Sequence, residues 1–557
     1  MQMLAADKSR ARSVVESFLQ NVVIIDDLPY IPHGDKPTLQ NLQTPSYTEV
    51  APEEDGPIDK TRRDVYLNAE AVIRGFADLG SVCAVLKTEA DQTSLERAVR
   101  AAVRADIVVL DWKIEGIAGE SALRVVKSIL EDDENSHRLR LIAIYTGEPD
   151  LSSIATHIQE VLSEFHVEHE LIRDDSFRIS RGPTRVIVLA KKGTLAKDNG
   201  SDGPYPALSD IEVSESKLAD KLTDEFVAMT SGLLRSVALA GITTVRNRVH
   251  RVLARFDESL DPAYLGHRLL LPHPPDAEDH VVAALGSEML AVLEEDRPGV
   301  HAGIEAIEEW LLQRDEDNLS EPFAFDEQTD TVTGWRNLLM RGIDASKDRL
   351  PTGSKSHPTG KSKIMKQLIS SGTEAFTPDS DTAMLANRRF SALLSLRTRY
   401  PGQSPRLTIG TILSVGKYGA RRFLLCLQPK CDSIRLDSPS GFPLMPLEIV
   451  EIDDGSRPFS IVVEVAIGQW THLSIKPKPS ELTVRSFEPG PNPPGEIEAI
   501  EGDRGEFHFK DTRGWKYRWI AQLKDEHALR VAGDVAAALA RPGPNDAEWL
   551  RRASERS

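Results

Sequence analysis

ADIVVLD, residues 105–111, is a run of branched apolar residues that stops at a carboxylate, and NVVIIDD at 21–27 does the same. Apolar at successive rather than alternate positions, such strands are covered on both faces, which marks a parallel sheet in an α/β fold. Working outward, SVCAVLKT (81–88), LRLIAIYTG (139–147) and RVIVLAK (185–191) read as three more strands. Helical patterns cover residues 8–20, 64–79, 91–104, 119–132 and 150–164 around and between them. The sequence therefore predicts an N-terminal doubly wound parallel sheet of five strands over residues 1–195. A Pro-, Gly-, Thr- and acid-rich stretch at 29–62 reads as an irregular insertion.

The remainder predicts a multidomain chain of the α/β + α + β kind. Residues 196–213 are a polar linker, 214–350 a helical domain whose first segment runs as one long helix from Ser214 to about Phe256, and 351–363 a flexible basic linker. Residues 364–557 form a β-rich module with C-terminal helices at 523–540 and 545–555. Its strands are LTIGTILSV, RRFLLCLQP, FSIVVEVAI and EFHFKD, with turn signals between them.

A length of 557 residues implies about three or four domains. The net charge of −19 argues against a bulk nucleic-acid or anionic-membrane binder. Three cysteines cannot build a disulfide framework, and the first residues lack a signal-peptide core, so a reducing cytoplasmic location is expected. FVAMTSGLLRSVALAGITTV (226–245) is long enough to span a bilayer, but Arg235 near its middle favours a buried or dimer-forming helix. Residues 214–256 suit a dimerisation or output helix and the core of a middle domain equally, which leaves a homodimer open.

In a parallel sheet, catalytic groups gather beyond the carboxyl ends of the strands. Here those ends carry Asp26 and Asp27, Asp111, Thr146 and Lys191. A hard cation such as Mg2+ takes carboxylate oxygens, and Asp26 and Asp27 would hold it beside Asp111. A carboxylate can then serve as a nucleophile and form an aspartyl phosphate. Lys191 would neutralise the spreading charge, Thr146 would donate a hydroxyl to a phosphoryl oxygen, and Gly147 would leave room for a donor.

The order DD, D, T, K at successive strand ends resembles the receiver domain of bacterial response regulators, flavodoxin-like in fold, over roughly residues 18–195. The resemblance implies Asp26 and Asp27 as the acidic pair and Asp111 as phosphoacceptor. It further implies Thr146 as the switch hydroxyl, Lys191 as the family lysine and the backbone carbonyl of Lys113 as a further metal ligand. Gly119 falls where that family opens its third helix. The chain departs from the pattern at three places. Gly193 rather than proline follows the lysines, so Lys192 is an alternative to Lys191. Glu115 stands where a proline is common. Leu189 replaces the usual switch aromatic. The long spans from Asp27 to Asp111 and from Thr146 to Lys191 read as surface insertions.

Other signals are set aside. TGKS (359–362) lacks the first glycine of a phosphate loop, since Lys355 holds its place. Cys426 and Cys431 lack a second pair and read as buried thiols. His250, His267 and His273 have no ligand company at sequence spacing and read as structural. WKYRW (515–519) in a strand places Trp515, Tyr517 and Trp519 on one half-buried face.

The function expected is a signalling phosphoprotein, not an enzyme, with a sensor histidine kinase as partner. LCLQPKCDSIRL, GWKYRWIAQL and EWLRR give the layout after the receiver a similarity to receiver-only components of anti-phage defensive two-component systems. That implies a phosphate sink or relay beside a separate receiver-effector protein. The alternative is a protein-binding or enzymatic output module in residues 214–557.

Overall fold

In the computed structural model the described residues are 2–31, 66–88, 92–114, 119–165, 169–195, 210–312, 331–345, 372–400, 402–416, 421–450, 461–475, 479–490, 495–503 and 505–539. The 32–62 part of the expected insertion, TGKS with its linker, Glu115 and the 545–555 helix lie outside them. The chain divides into two compact units, Met1–Gln313 and Arg314–Ser557.

The first unit opens with α1 (Gln2–Phe18) and β1 (Asn21–Asp26). Two short strands, β2 (Pro29–Tyr30) and β3 (Leu67–Asn68), pair with each other, so strand rather than helix occupies 67–68. Then follow α2 (Ala69–Asp78), β4 (Val82–Lys87), α3 (Gln92–Ala102), β5 (Ile107–Leu110), α4 (Glu120–Ser136), β6 (Arg140–Thr146) and α5 (Leu151–Glu164). The remaining strands among the unit's described residues are β7 (Leu171–Arg173), β8 (Arg178–Arg181), β9 (Thr184–Lys191) and β10 (Glu212–Val213). Five strands run parallel in the order β4-β1-β5-β6-β9. Right-handed crossovers then require α2 on one face and α3, α4 and α5 on the other. The contacts agree: α3 touches α4 and α4 touches α5, whereas α2 touches a later helix, α6 (Glu215–Met229).

β5 and β6 are buried at every position, and β9 at all but Arg185. Each fully buried Val, Ile or Leu contributes about 1.5–3 kcal/mol, so these strands hold the core together. The long span before Lys191 is no loose loop. It folds into the antiparallel hairpin β7–β8, which continues the sheet beyond β9. Arg140 opens β6 fully buried. Its guanidinium meets Asp133 at 2.7 Å and donates to the carbonyls of Ala102 and Ala105, tying α3 and α4 to the sheet.

The long helix expected over 214–256 is broken. α6 ends at Met229, Gly232 turns at φ +123°, and α7 (Leu233–Asn247) leaves at 117° to α6. A positive φ suits glycine, and the Thr-Ser-Gly triplet supplies the break. Leu218, Ala219, Leu222 and Phe226 of α6 enter the same core as the sheet. α8 (Val249–Leu253), α9 (Asp261–Leu270), α10 (Asp276–Asp296) and α11 (Ile304–Leu312) follow in this unit. Among the described residues no single helix is long and apolar enough to cross a membrane; α6 and α7 meet that test only as the bent pair. His267, expected to lack histidine company, has its Nε2 3.1 Å from His280 Nδ1, a neighbour 13 positions on that spacing alone conceals.

The second unit carries an antiparallel β-rich half-barrel. Strands Thr411–Val415, Arg422–Cys426 and Ser440–Val450 pair in sequence, and Lys516–Gln522 flanks the first. Helix Ser380–Ser395 precedes the sheet and helix Asp525–Leu539 follows it. Cys426 is buried, but Cys431 is exposed in a 3-10 turn, against the expectation of two buried thiols. Within WKYRW, Tyr517 is buried and bonds Asp511, while Trp515 precedes the strand and is 61% exposed, so the three aromatics do not share one covered face.

Candidate functional site

The strand order reverses between β1 and β5, and open α/β sheets place their ligand sites beyond the carboxyl ends at such a point. Asp26 closes β1 and Asp111 follows β5, its amide donating to the Ile25 carbonyl at 3.0 Å. Thr146 and Lys191 end β6 and β9. Parallel strands of matched register thus bring four side chains far apart in sequence to one end of the sheet. All four are buried.

Lys191 is the hub. Its Nζ lies 3.1 Å from Asp26 Oδ2 and 3.5 Å from Asp111 Oδ1. Lys192, the alternative, is exposed in the turn that follows. The other Asp26 oxygen, Oδ1, accepts from the Leu28 amide at 2.7 Å. Asp27 is half-buried, and its charge reaches Asp111.

Burial pushes the Asp111 carboxyl up from 3.8 to about 6; Lys191 opposes this and the charges of Asp26 and Asp27 add to it. Burial of the Lys191 ammonium works against its charge, but Asp111 and Asp26 outweigh this and hold its pKa above the ordinary lysine value. The lysine therefore stays protonated between Asp26 and Asp111, and the charge of Asp27 is felt at Asp111 as well. The excess is negative.

Thr146 Oγ1 accepts from the Glu148 amide at 3.1 Å, a bond that does not use the hydroxyl hydrogen. Gly147 beside it is exposed. Lys113 Nζ pairs with Glu148 Oε1 at 2.5 Å, joining the turns after β5 and β6. Gly119 has φ +80°, its amide donates to the Trp112 carbonyl at 2.9 Å, and a Cβ there would overlap the Trp112 indole. Leu189, in the place of a switch aromatic, is wholly buried.

Tyr145 went unread in the sequence. It is 1% exposed, its ring lies 5.8 Å from Lys191 Nζ, and its hydroxyl donates to the Val213 carbonyl at 2.8 Å. The only sequence signal was an aromatic directly before Thr146 in a fully buried strand.

A doubly wound sheet whose carboxyl ends gather an acidic group, a hydroxyl and a lysine is the arrangement expected of a receiver. Residues 18–196, about a third of the chain, match the family model described as the response receiver domain, and this part of the chain is a divergent receiver of that family. No curated protein and no solved structure matches the chain. Its domain supports response-regulator function in general.

Proposed function

We propose that the protein is a two-component phosphoacceptor, with Asp111 taking a phosphoryl group from a partner histidine kinase. The observation that carries this is one buried ammonium, Lys191, bridging Asp26 and Asp111. An Asp111 carboxylate oxygen attacks phosphorus, the bond from phosphorus to the kinase imidazole nitrogen breaks, and the electron pair leaves with that nitrogen. Lys191 meets the charge spreading over the phosphoryl oxygens, and the Thr146 hydroxyl donates to one of them. Exposed Gly147 leaves the approach open.

Among the described residues no three His, Cys, Asp or Glu side chains sit together at metal-ligand spacing. The donor set nonetheless fits Mg2+ in kind, with hard carboxylate oxygens in excess over the single cation. Asp26, Asp27, Asp111 and the Lys113 carbonyl would hold the ion, which supplies further neutralisation of phosphoryl charge.

Two roles follow from phosphorylation of Asp111, each with its own support. A phosphate sink or relay, within an anti-phage system that contains a separate receiver-effector, rests on the similarity of the C-terminal motifs. An output role for residues beyond 213 is favoured by β10 and α6, which are built onto the strands that carry Thr146 and Lys191. The test of phosphoacceptance is incubation of the full chain with acetyl phosphate and Mg2+, followed by intact mass. The expected result is one phosphoryl adduct on the wild type and none on Asp111→Asn. An adduct that persists in the variant overturns the assignment.

A further inference from the structure

We propose that Tyr145 is a positioning residue, which holds the Lys191 ammonium in place and couples the acidic site to the helical segment that begins at α6; this rests on the phosphoacceptor reading of Asp111. A buried ring near a desolvated ammonium attracts it, and the Tyr145 ring lies 5.8 Å from Lys191 Nζ. A buried phenol must also place its hydroxyl. Here the partner is the Val213 carbonyl, outside the five-stranded sheet.

Val213 is itself joined to Lys191. β10 pairs parallel with β9 in the register Glu212 with Ala190 and Val213 with Lys191. Glu212 Oε1 accepts from the amides of Gly193 at 2.8 Å and Leu195 at 3.2 Å, which fastens the turn after the lysines. A closed circuit results: Lys191 to Val213 through the backbone ladder, Val213 to Tyr145 through the phenol, and Tyr145 to Lys191 through the ring. Ser214, the next residue, is the N-cap of α6.

α6 is held firmly enough to respond as a body. Glu225 receives Arg178 Nη2 at 2.7 Å and Lys221 Nζ at 3.1 Å, and Asp220 and Asp224 receive Arg12 of α1. A change of charge at Asp111 alters what Lys191 must balance, and the circuit carries that change to the start of α6. Leu189, where a receiver aromatic is usual, has no hydroxyl to do this. Tyr145 reaches the following segment from the neighbouring strand.

Separate substitutions test the two halves of the role. Tyr145→Phe keeps the ring and loses the hydroxyl; Tyr145→Leu loses both. With acetyl phosphate and Mg2+, the Phe variant is expected to form the Asp111 adduct at close to the wild-type rate and the Leu variant about tenfold more slowly. Hydrogen exchange of the peptide 211–226 in the full chain reads the coupling without a phosphoryl group. Asp111→Asn should change its exchange by about fivefold in the wild-type background, and the change should vanish with Tyr145→Phe. An equal change in both backgrounds overturns the coupling, and a wild-type adduct rate in Tyr145→Leu overturns the positioning role. A wild type that forms no adduct, yet shows the Tyr145-dependent exchange response, removes the phosphoacceptor reading and leaves the coupling standing.

Discussion

Replacing Asp111 by Asn should make the protein more stable, and by an amount that depends on pH. The carboxyl sits in the fold with its pKa raised from 3.8 to about 6 by burial and by the neighbouring carboxylates. The folded state then binds this proton more tightly than the unfolded chain. The associated stability is complete below pH 3.8 and is lost as pH rises through about 6. A difference of about 2 in pKa, at about 1.4 kcal/mol per unit, gives about 3 kcal/mol of penalty in the ionised form. The amide of Asn stays uncharged and keeps the shape. Lys191 retains Asp26 at 3.1 Å, so the loss of its second partner only trims the gain, and 3 kcal/mol is a ceiling. Urea titration of the full chain with a chelator present, read by exchange of the β5 amides, should show the variant more stable at about pH 8 and equal to the wild type near pH 4. Adding Mg2+ at the higher pH should narrow the gap, because the cation needs the carboxylate. A variant that is less stable at high pH, or a gain that is the same at both, would refute the reasoning.

Lys191→Met should slow adduct formation with acetyl phosphate by about a hundredfold, while exposed Lys192→Met changes it by about twofold at most; intact-mass time courses decide between the two lysines. Gly119→Ala forces an L residue to φ +80° against the Trp112 indole and should cost about 2 kcal/mol in urea unfolding. Arg140→Met leaves Asp133 buried without its cation and should cost about 3–5 kcal/mol, part of which Asp133→Asn restores in the double variant.

The five strands were legible because each is a near-continuous apolar run that ends in a polar residue. That same rule marked Asp26, Asp111, Thr146 and Lys191, and the sheet brings them together. The β7–β8 hairpin was not legible, since LIR and RISR carry as many charges as a loop. The strand Ser440–Val450 was hidden by Pro443 and Pro446, which weaken any strand pattern. The break at Gly232 was not legible because apolar periodicity continues on both sides of Thr230-Ser231-Gly232. Tyr145 and Arg140 owe their roles to partners 68 and up to 38 positions away, and no local pattern encodes such contacts.

The hairpin beyond β9 has a bearing on how the protein survives its own sequence. VIVLA, residues 186–190, is the kind of short, branched, uncharged segment that stacks with copies of itself into cross-β fibrils when its amides are left bare. β8 and β10 occupy those amides, and the sheet finishes instead on β7, three residues long and carrying Arg173. So brief and charged a border gives a second molecule little to add to. The added length before Lys191 thus works as a guard against polymerisation on that side of the sheet.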